Sequence, residues 1–353
     1  MTRWRPGLPC ALLASACTCT LLASACNGAA GYEAGGTEER WQAADPVVSD
    51  DGAIVTVETP IDARTLDLAI SSPAMRAVAN VRLLLPPGWS RGATQTWPVL
   101  YLLHGAHTDH TAWTANSDIA KLSASTGVIV VMPDGGACGQ YSDWWNLGGF
   151  GPPAWETFHL TELRQILERG FHASTVRAIA GFSMGGFGAM SYAARNPSMF
   201  RAAASYSGAV DSLWDGKGGP GITGPMVLTL MSVTCPRYPQ WVNLWGDPAV
   251  PAERRMWEAH NPASLASRLR GIPLFVASGN GEPGPLAPAL FPDIVEQVVY
   301  GESRAFVEAL EAAGVPVTSD FYGRGTHAWP YWQRELHRSW AMLMSAIGAT
   351  SAP

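Results

Sequence analysis

The chain has 353 residues, of which 47% are hydrophobic and only 15% charged, and its formal net charge is −6. High hydrophobicity with low charge excludes a disordered chain, and 37 Gly and 27 Pro scattered without period exclude a collagen-like one. Acidic residues outnumber basic ones 29 to 23, with Lys121 and Lys217 the only lysines, so a basic nucleic-acid-binding surface is not expected.

Arg3 and Arg5 precede an apolar stretch from Leu8 to Ala25 that ends in Ala23-Ser24-Ala25. A positive start, a short apolar run and a small-residue cleavage pattern read as a secretory leader over 1–25, too short and too interrupted for a membrane span. Cys26, directly after Leu22-Ala23-Ser24-Ala25, also fits a bacterial lipoprotein box, which would attach the mature chain to a membrane through a lipid on Cys26. Residues 26–50 are rich in Gly, Ala and Glu and read as a linker. Four of the six cysteines fall in the leader or at its junction. Cys138 and Cys235 remain, a pair that spacing alone neither joins nor separates.

From about residue 53, apolar β-branched runs alternate with helical patterns. Ala53–Val57 and Ala77–Leu85 read as early strands, paired antiparallel. Pro98–Leu103 and Val128–Met132 are continuous apolar runs, the pattern of strands buried on both faces. Trp155–Arg169 has helical spacing, Val176–Ala180 is a strand, Met184–Arg195 a helix, and Ala202–Tyr206 and Pro273–Ala277 are strands. Ile294–Ala313 is a helix stopped by Gly314, Val315–Tyr322 a strand, and Pro330–Ile347 the last helix. This alternation predicts an α/β fold with a mostly parallel central sheet and helices on both faces, as one domain over 51–348.

One strand-to-helix junction carries Gly181-Phe182-Ser183-Met184-Gly185, a G-x-S-x-G pattern. The bare pattern is common in a glycine-rich chain; its position between a strand and a helix gives it meaning. A serine on so tight a turn needs neighbours without side chains, and the turn lifts its hydroxyl clear of the sheet at a helix N-terminus. Ser183 is therefore the candidate nucleophile. It needs a base, and the base needs an orienting carboxylate, in the chain order serine, acid, histidine. His327 follows the last strand in Gly323-Arg324-Gly325-Thr326-His327-Ala328-Trp329, the loop where the base belongs, whereas His260 and His337 lie in a polar stretch and in the last helix. For the acid, Glu282, Asp293 and Glu296 all follow the Pro273–Ala277 strand, and spacing favours Glu282 slightly.

The oxyanion hole calls for the backbone N–H of Met184 and one from the loop after Pro98–Leu103, for which Ala106 is chosen. His104, His107, Asp109 and His110 crowd that loop and raise a metal reading. The metallo-hydrolase pattern H-x-H-x-D-H would need a histidine at position 105, which is Gly105, so no metal or cofactor is expected and these are read as solvent-facing loop histidines.

Several segments together resemble the antigen 85 type of mycobacterial and corynebacterial acyltransferases, within the esterase D-like group of α/β-hydrolases. They are Tyr141-Ser142-Asp143-Trp144-Trp145, Trp155-Glu156-Thr157-Phe158, Gly181–Gly185, Gly279-Asn280-Gly281 with Pro283, and Gly325-Thr326-His327-Ala328-Trp329 with Tyr331-Trp332. They stand in family order across about 95 to 335. The family's catalytic glutamate lies ten residues before a Phe and shortly after a Pro; Pro292, Glu296 and Phe306 reproduce that layout, so the resemblance selects Glu296. It implies an α/β-hydrolase fold and two-step transfer from an acyl ester, through an acyl-enzyme on Ser183, to water or to a sugar or glycerol hydroxyl. Trp144, Trp145 and Trp329, with Trp332, would form a substrate-binding rim. The chain departs from the sugar-binding mycolyltransferases in carrying His104-Gly105-Ala106-His107 where they have Asp-Gly-Leu-Arg. The expectation is an exported serine esterase or acyltransferase, with a trehalose mycolyltransferase or diacylglycerol acyltransferase as one alternative and a non-catalytic binding protein on the same fold as another.

Overall fold

The computed structural model describes residues 46–235 and 241–349, the side chains of 230–233 excepted. The expected leader, the Cys26 junction and most of the expected linker lie outside the described residues. Within the linker range, Val47 already packs against the core and the Asp50 amide donates to the Gln165 side chain.

Nine strands form one sheet: β1 (Ile54–Pro60), β2 (Thr65–Ser72), β3 (Ala77–Leu84), β4 (Trp97–Leu103), β5 (Ile129–Pro133), β6 (Ala173–Phe182), β7 (Ala203–Tyr206), β8 (Leu274–Ser278) and β9 (Thr318–Phe321). Their order is 1-2-3-5-4-6-7-8-9, with β5 through β9 parallel and β1 to β3 an antiparallel extension. The two early strands expected to pair with each other do not. Strand β2 stands between them, its Leu66, Leu68 and Ile70 facing the core at 1% exposure or less. The alternation in Thr65-Leu66-Asp67-Leu68-Ala69-Ile70 is a period-two signal, and a strand is what it makes.

The parallel strands divide their side chains between two cores. Val99, Tyr101, Leu103, Ile129, Val131 and Ile179 face one, while Leu100, Leu102, Val128, Val130, Ala178 and Ala180 face the other. Burial on both faces explains why these segments read as unbroken apolar runs. The first core is covered by α1 (Arg164–Gly170), α2 (Met184–Arg195) and, through Phe306 and Leu310, the helix Ile294–Ala312. The expected helix at Trp155–Arg169 is three continuous pieces, Trp155–Thr157, a π-helical Phe158–Leu163, and α1. Two further helices, α3 (Gly224–Thr234) and α4 (Pro251–His260), bring Leu228 and Trp257 to a third cluster with Trp144, Phe187, Leu244 and Trp245, while the helix Ile294–Ala312 over the first core is α5. The second core is covered by α6 (Trp329–Ala346) through Leu336 and Leu343. Among the described residues, no helix is long and apolar enough to cross a membrane.

Helix α6 carries a pH-sensitive group. Burial pushes the Glu335 carboxyl up to about 7 despite its hydrogen bond from Arg334, and the nearby Asp320 carboxylate adds to the rise. Between pH 4.5 and 7 the unfolded chain releases this proton while the folded chain keeps it, so stability falls as pH rises through that window. The stability of the protein relative to Glu335→Gln should therefore drop by about 3 kcal/mol between pH 4.5 and pH 7. Urea titrations of both proteins at the two pH values measure it, and parallel pH dependence would refute it.

Candidate active site

The chain leaves β4 toward β5 on one side and returns to β6 on the other, so the carboxyl ends of β4 and β6 flank a topological switch point, the usual place for a site in an open α/β sheet. Ser183 stands there, between β6 and α2, with φ 54° and ψ −122°. The turn is so tight that a Cβ on Gly181 would lie 2.3 Å from the Gly185 carbonyl oxygen. One on Gly185 would lie 2.5 Å from that of Leu103. Both glycines of the motif are thus required by backbone approaching backbone, and the strained serine is held by Tyr206, whose carbonyl accepts from its amide at 2.9 Å.

Ser183 Oγ lies 2.9 Å from His327 Nε2, and His327 Nδ1 lies 2.7 Å from Glu296 Oε2. With a carboxylate accepting at Nδ1, that nitrogen carries the proton and Nε2 is left to accept from the serine hydroxyl. Glu296 is fully buried in the first turn of α5. Its other oxygen accepts from Ser207 Oγ at 2.8 Å, Ser278 Oγ at 2.9 Å and the Gly279 amide at 2.7 Å. Asp293 caps α5 by accepting from the amides of Val295 and Glu296, and its second oxygen accepts from the His327 amide at 2.9 Å. One aspartate therefore sets both the helix that carries Glu296 and the loop that carries His327. Glu282, the acid favoured by spacing alone, is exposed and contacts neither Ser183 nor His327. Ser207, Ser278 and Asp293 were not singled out as supports of the acid; only Asp293, three residues before a Glu at a helix start, had a capping signal to show it.

The amides of Ala106 and Met184 have no acceptor among the described residues, and both residues line the same pocket as Ser183. The loop bearing Ala106 is pinned from below. His104, expected to face solvent, is 1% exposed; its Nε2 accepts from the Gly135 amide and its Nδ1 donates to the Gly105 carbonyl, both at 2.8 Å. The reason is positional: His104 continues β4 into the core, where both of its ring nitrogens must find partners. His107, at φ 59°, donates its amide to the Ala137 carbonyl at 2.8 Å.

Two cavities meet at Ser183. One, of 340 Å³, is apolar and lined by Ala209, Ile222, Val227, Ile294, Val298 and Val299 among others. The second, of 500 Å³, is lined by Thr108, Phe182, Trp329, Pro330 and Trp332. Of the tryptophans expected at a substrate rim, Trp329 is in place and Trp332 lies beside it, its ring edge-on to His327 at 4.9 Å. Trp144 and Trp145 line neither cavity. Trp144 is buried, with its indole donating to the Gly139 carbonyl, because α3 and α4 create a separate aromatic cluster that takes it up, and half-buried Trp145 packs near Gly246.

Cys138 and Cys235, left open by the sequence, are joined, with Cα atoms 6.3 Å apart. The bond ties the end of α3 to the loop after β5, and the His107 ring lies over it, 3.8 Å from Cys235 Sγ and 3.1 Å from Thr234 Oγ1. His107, Cys138 and Cys235 are the only group of three metal-type ligands that converges among the described residues, and its two sulfurs are spent on each other. The bridge closes a loop with a sequence separation of 97. The double variant Cys138→Ser/Cys235→Ser should lose about 3 kcal/mol of stability, and dithiothreitol should bring the parent protein to the same melting temperature. A melting temperature that neither change moves would contradict this.

The Putative esterase family matches residues 72–343 of the chain, more than half its length. The chain belongs to this family. The chain is 33% identical over 266 residues to a diacylglycerol acyltransferase/mycolyltransferase, Ag85B, of Mycobacterium intracellulare, covering 72% of this chain and 77% of that one. It is 36% identical over 248 residues to an esterase of Mycobacterium tuberculosis, covering 67% of this chain and 50% of that one, so it spans half the length of that relative. Among solved structures, MPT51 of Mycobacterium tuberculosis superposes with a TM-score of 0.60 at 24% identity, covering 79% of this chain and 97% of that one. A fluorophosphonate-binding serine hydrolase of Staphylococcus aureus, FphF, superposes at 0.58 with 18% identity, covering 80% and 98%. These likenesses agree on the α/β-hydrolase fold and on the class: the protein is an ester hydrolase or acyltransferase, of the antigen 85 type expected from its motifs.

Proposed function

We propose that this is an exported serine esterase that cleaves acyl esters through an acyl-enzyme on Ser183. The observation that carries the reading is the unbroken series from Ser183 Oγ through His327 to buried Glu296, placed at the meeting point of an apolar and an aromatic cavity. In this reading His327 takes the Ser183 proton as the hydroxyl attacks the ester carbonyl. Glu296 steadies the imidazolium, and the amides of Ala106 and Met184 receive the oxyanion. The tetrahedral intermediate collapses, His327 returns the proton to the departing alcohol, and the Ser183 ester remains. The apolar cavity takes the acyl chain; the cavity of Trp329 and Trp332 takes the alcohol and then water. Export rests on the leader pattern in residues 1–25, with Cys26 as a lipid attachment point.

A second reading is acyl transfer to a sugar or glycerol hydroxyl. It is favoured by the aromatic walls of the second cavity, on which a sugar face can stack, and by the similarity to Ag85B. The loop His104-Gly105-Ala106-His107 weighs against trehalose as that acceptor. One experiment tests both readings: residues 27–353 are given an activated acyl ester with and without glycerol or trehalose, and products are resolved by mass. Free acid alone supports the esterase; acylated glycerol or sugar supports the transferase. No turnover of the ester, with no fluorophosphonate label on Ser183, would sink both.

A further inference from the structure

The apolar wall of the acyl cavity has a direction. Along α5, Ile294 and Val295 are half-exposed at its mouth, and Val298 and Val299, one turn deeper, are 2% exposed. A turn further along the same face comes Glu302, 1% exposed, at i+4 from Val298. An apolar stripe that ends on a buried glutamate is not explained by packing. One carboxyl oxygen of Glu302 accepts from the Asp211 amide, and the other has no partner among the described residues. Burial, with the nearby Asp211 carboxylate adding to it, pushes this carboxyl well above its ordinary value and so favours its protonated form, which can both donate and accept.

Two more residues that carry an unpaired polar atom line the same space as Glu302. Ser212 Oγ and Trp245 Nε1, at 4% and 0% exposure, also lack partners, and all three residues line a small cavity of 10 Å³. Gln140, Ala209 and Val227 line both this cavity and the acyl cavity, so the two adjoin. A buried polar group left unpaired is costly, and three around one void of a water's size mark a built site for a small oxygen ligand.

We propose that Glu302, Ser212 and Trp245 form a hydroxyl-binding site at the deep end of the acyl cavity, which selects acyl chains bearing a hydroxyl near their far end, a water holding the place when no chain reaches it. The inference rests on the acyl-pocket reading of the apolar cavity. Trp245 donates to the guest oxygen, the Glu302 carboxyl accepts from it or donates to it, and the Ser212 hydroxyl turns to suit. A plain methyl terminus arriving there would strand all three groups, which is where discrimination arises.

The test has two arms. Matched p-nitrophenyl esters of increasing chain length, with and without a terminal hydroxyl, are hydrolysed by the parent protein, Glu302→Gln, Glu302→Leu and Ser212→Ala. The parent should show, at one chain length, a maximum in the ratio of kcat/KM for the hydroxylated over the plain ester. Glu302→Leu and Ser212→Ala should lower that maximum by about fivefold or more, the worth of one buried hydrogen bond, while Glu302→Gln keeps most of it. Ratios equal across all four proteins would overturn the proposal. The second arm is a high-resolution crystal structure of the unliganded parent, in which a water within hydrogen-bonding distance of the three side chains is expected. An empty cavity would overturn the site even if no ester is turned over, which separates its failure from that of the esterase reading. A water with flat ratios would leave a structural water and overturn the selectivity.

Discussion

Ser183→Ala is expected to lower kcat/KM toward an activated acyl ester by about 10⁵- to 10⁶-fold and to abolish fluorophosphonate labelling. The turn already fits a residue with a Cβ at φ 54°, so alanine adds no clash, and the Ser183 amide keeps its bond to the Tyr206 carbonyl. The loss is therefore one of chemistry. Residual activity above the uncatalysed rate would come from the Ala106 and Met184 amides and from the cavities alone. Steady-state kinetics beside a thermal melt distinguish this from unfolding. A variant that keeps more than about a tenth of the parent activity would remove Ser183 from the mechanism.

Glu296→Gln is expected to cost about 10⁴-fold in kcat, with KM little changed. The size follows from the surroundings of the side chain. Three donors, Ser207 Oγ, Ser278 Oγ and the Gly279 amide, converge on Oε1, so a glutamine must turn its carbonyl oxygen toward them. Its NH₂ then faces His327 Nδ1, which becomes an acceptor, and the ring proton moves to Nε2. In that tautomer His327 points a hydrogen at Ser183 and cannot take its proton. Nuclear magnetic resonance of the imidazole nitrogens would report the switch directly. A variant with Nδ1 still protonated and activity within about tenfold of the parent would contradict the assignment.

Both variants share a feature of design in which the reacting groups are set by neighbours that never touch the reacting ester. Asp293 joins the acid-bearing helix to the base-bearing loop through two separate carboxylate oxygens. Ser207 also accepts from the Trp332 indole at 3.2 Å while donating to Glu296, so the wall of the second cavity and the acid share a hydrogen-bond chain. Position 207 itself stands at φ 47°, held by a bond from its amide to the Ala277 carbonyl at the end of β8.

The local signals in the chain were enough for much of this. Buried parallel strands announce themselves as apolar runs, since both faces are covered, and β4 and β5 were legible for that reason. The nucleophile turn was legible because steric exclusion of side chains at Gly181 and Gly185 leaves a written trace. His327 was nominated as the histidine in the loop after the last strand and Glu296 by resemblance through its layout with Pro292 and Phe306, and the fold brings both into hydrogen-bonded series with Ser183. What only the tertiary structure decided are the facts that depend on who lies beside whom across long sequence separations. Strand β2 separates the two early strands, His104 is a buried pin and not a loop histidine, Trp144 turns into a separate aromatic cluster, Trp145 lies against Gly246, and Cys138 meets Cys235. The meeting of Ser212, Trp245 and Glu302 belongs to the same class, because they carry no pattern in the sequence and line one small cavity only in the fold. The opening composition told of a large apolar interior. Local sterics and periodicity placed its strands and its serine, while the partners of each buried polar group were settled by close packing, which acts between residues distant in the chain.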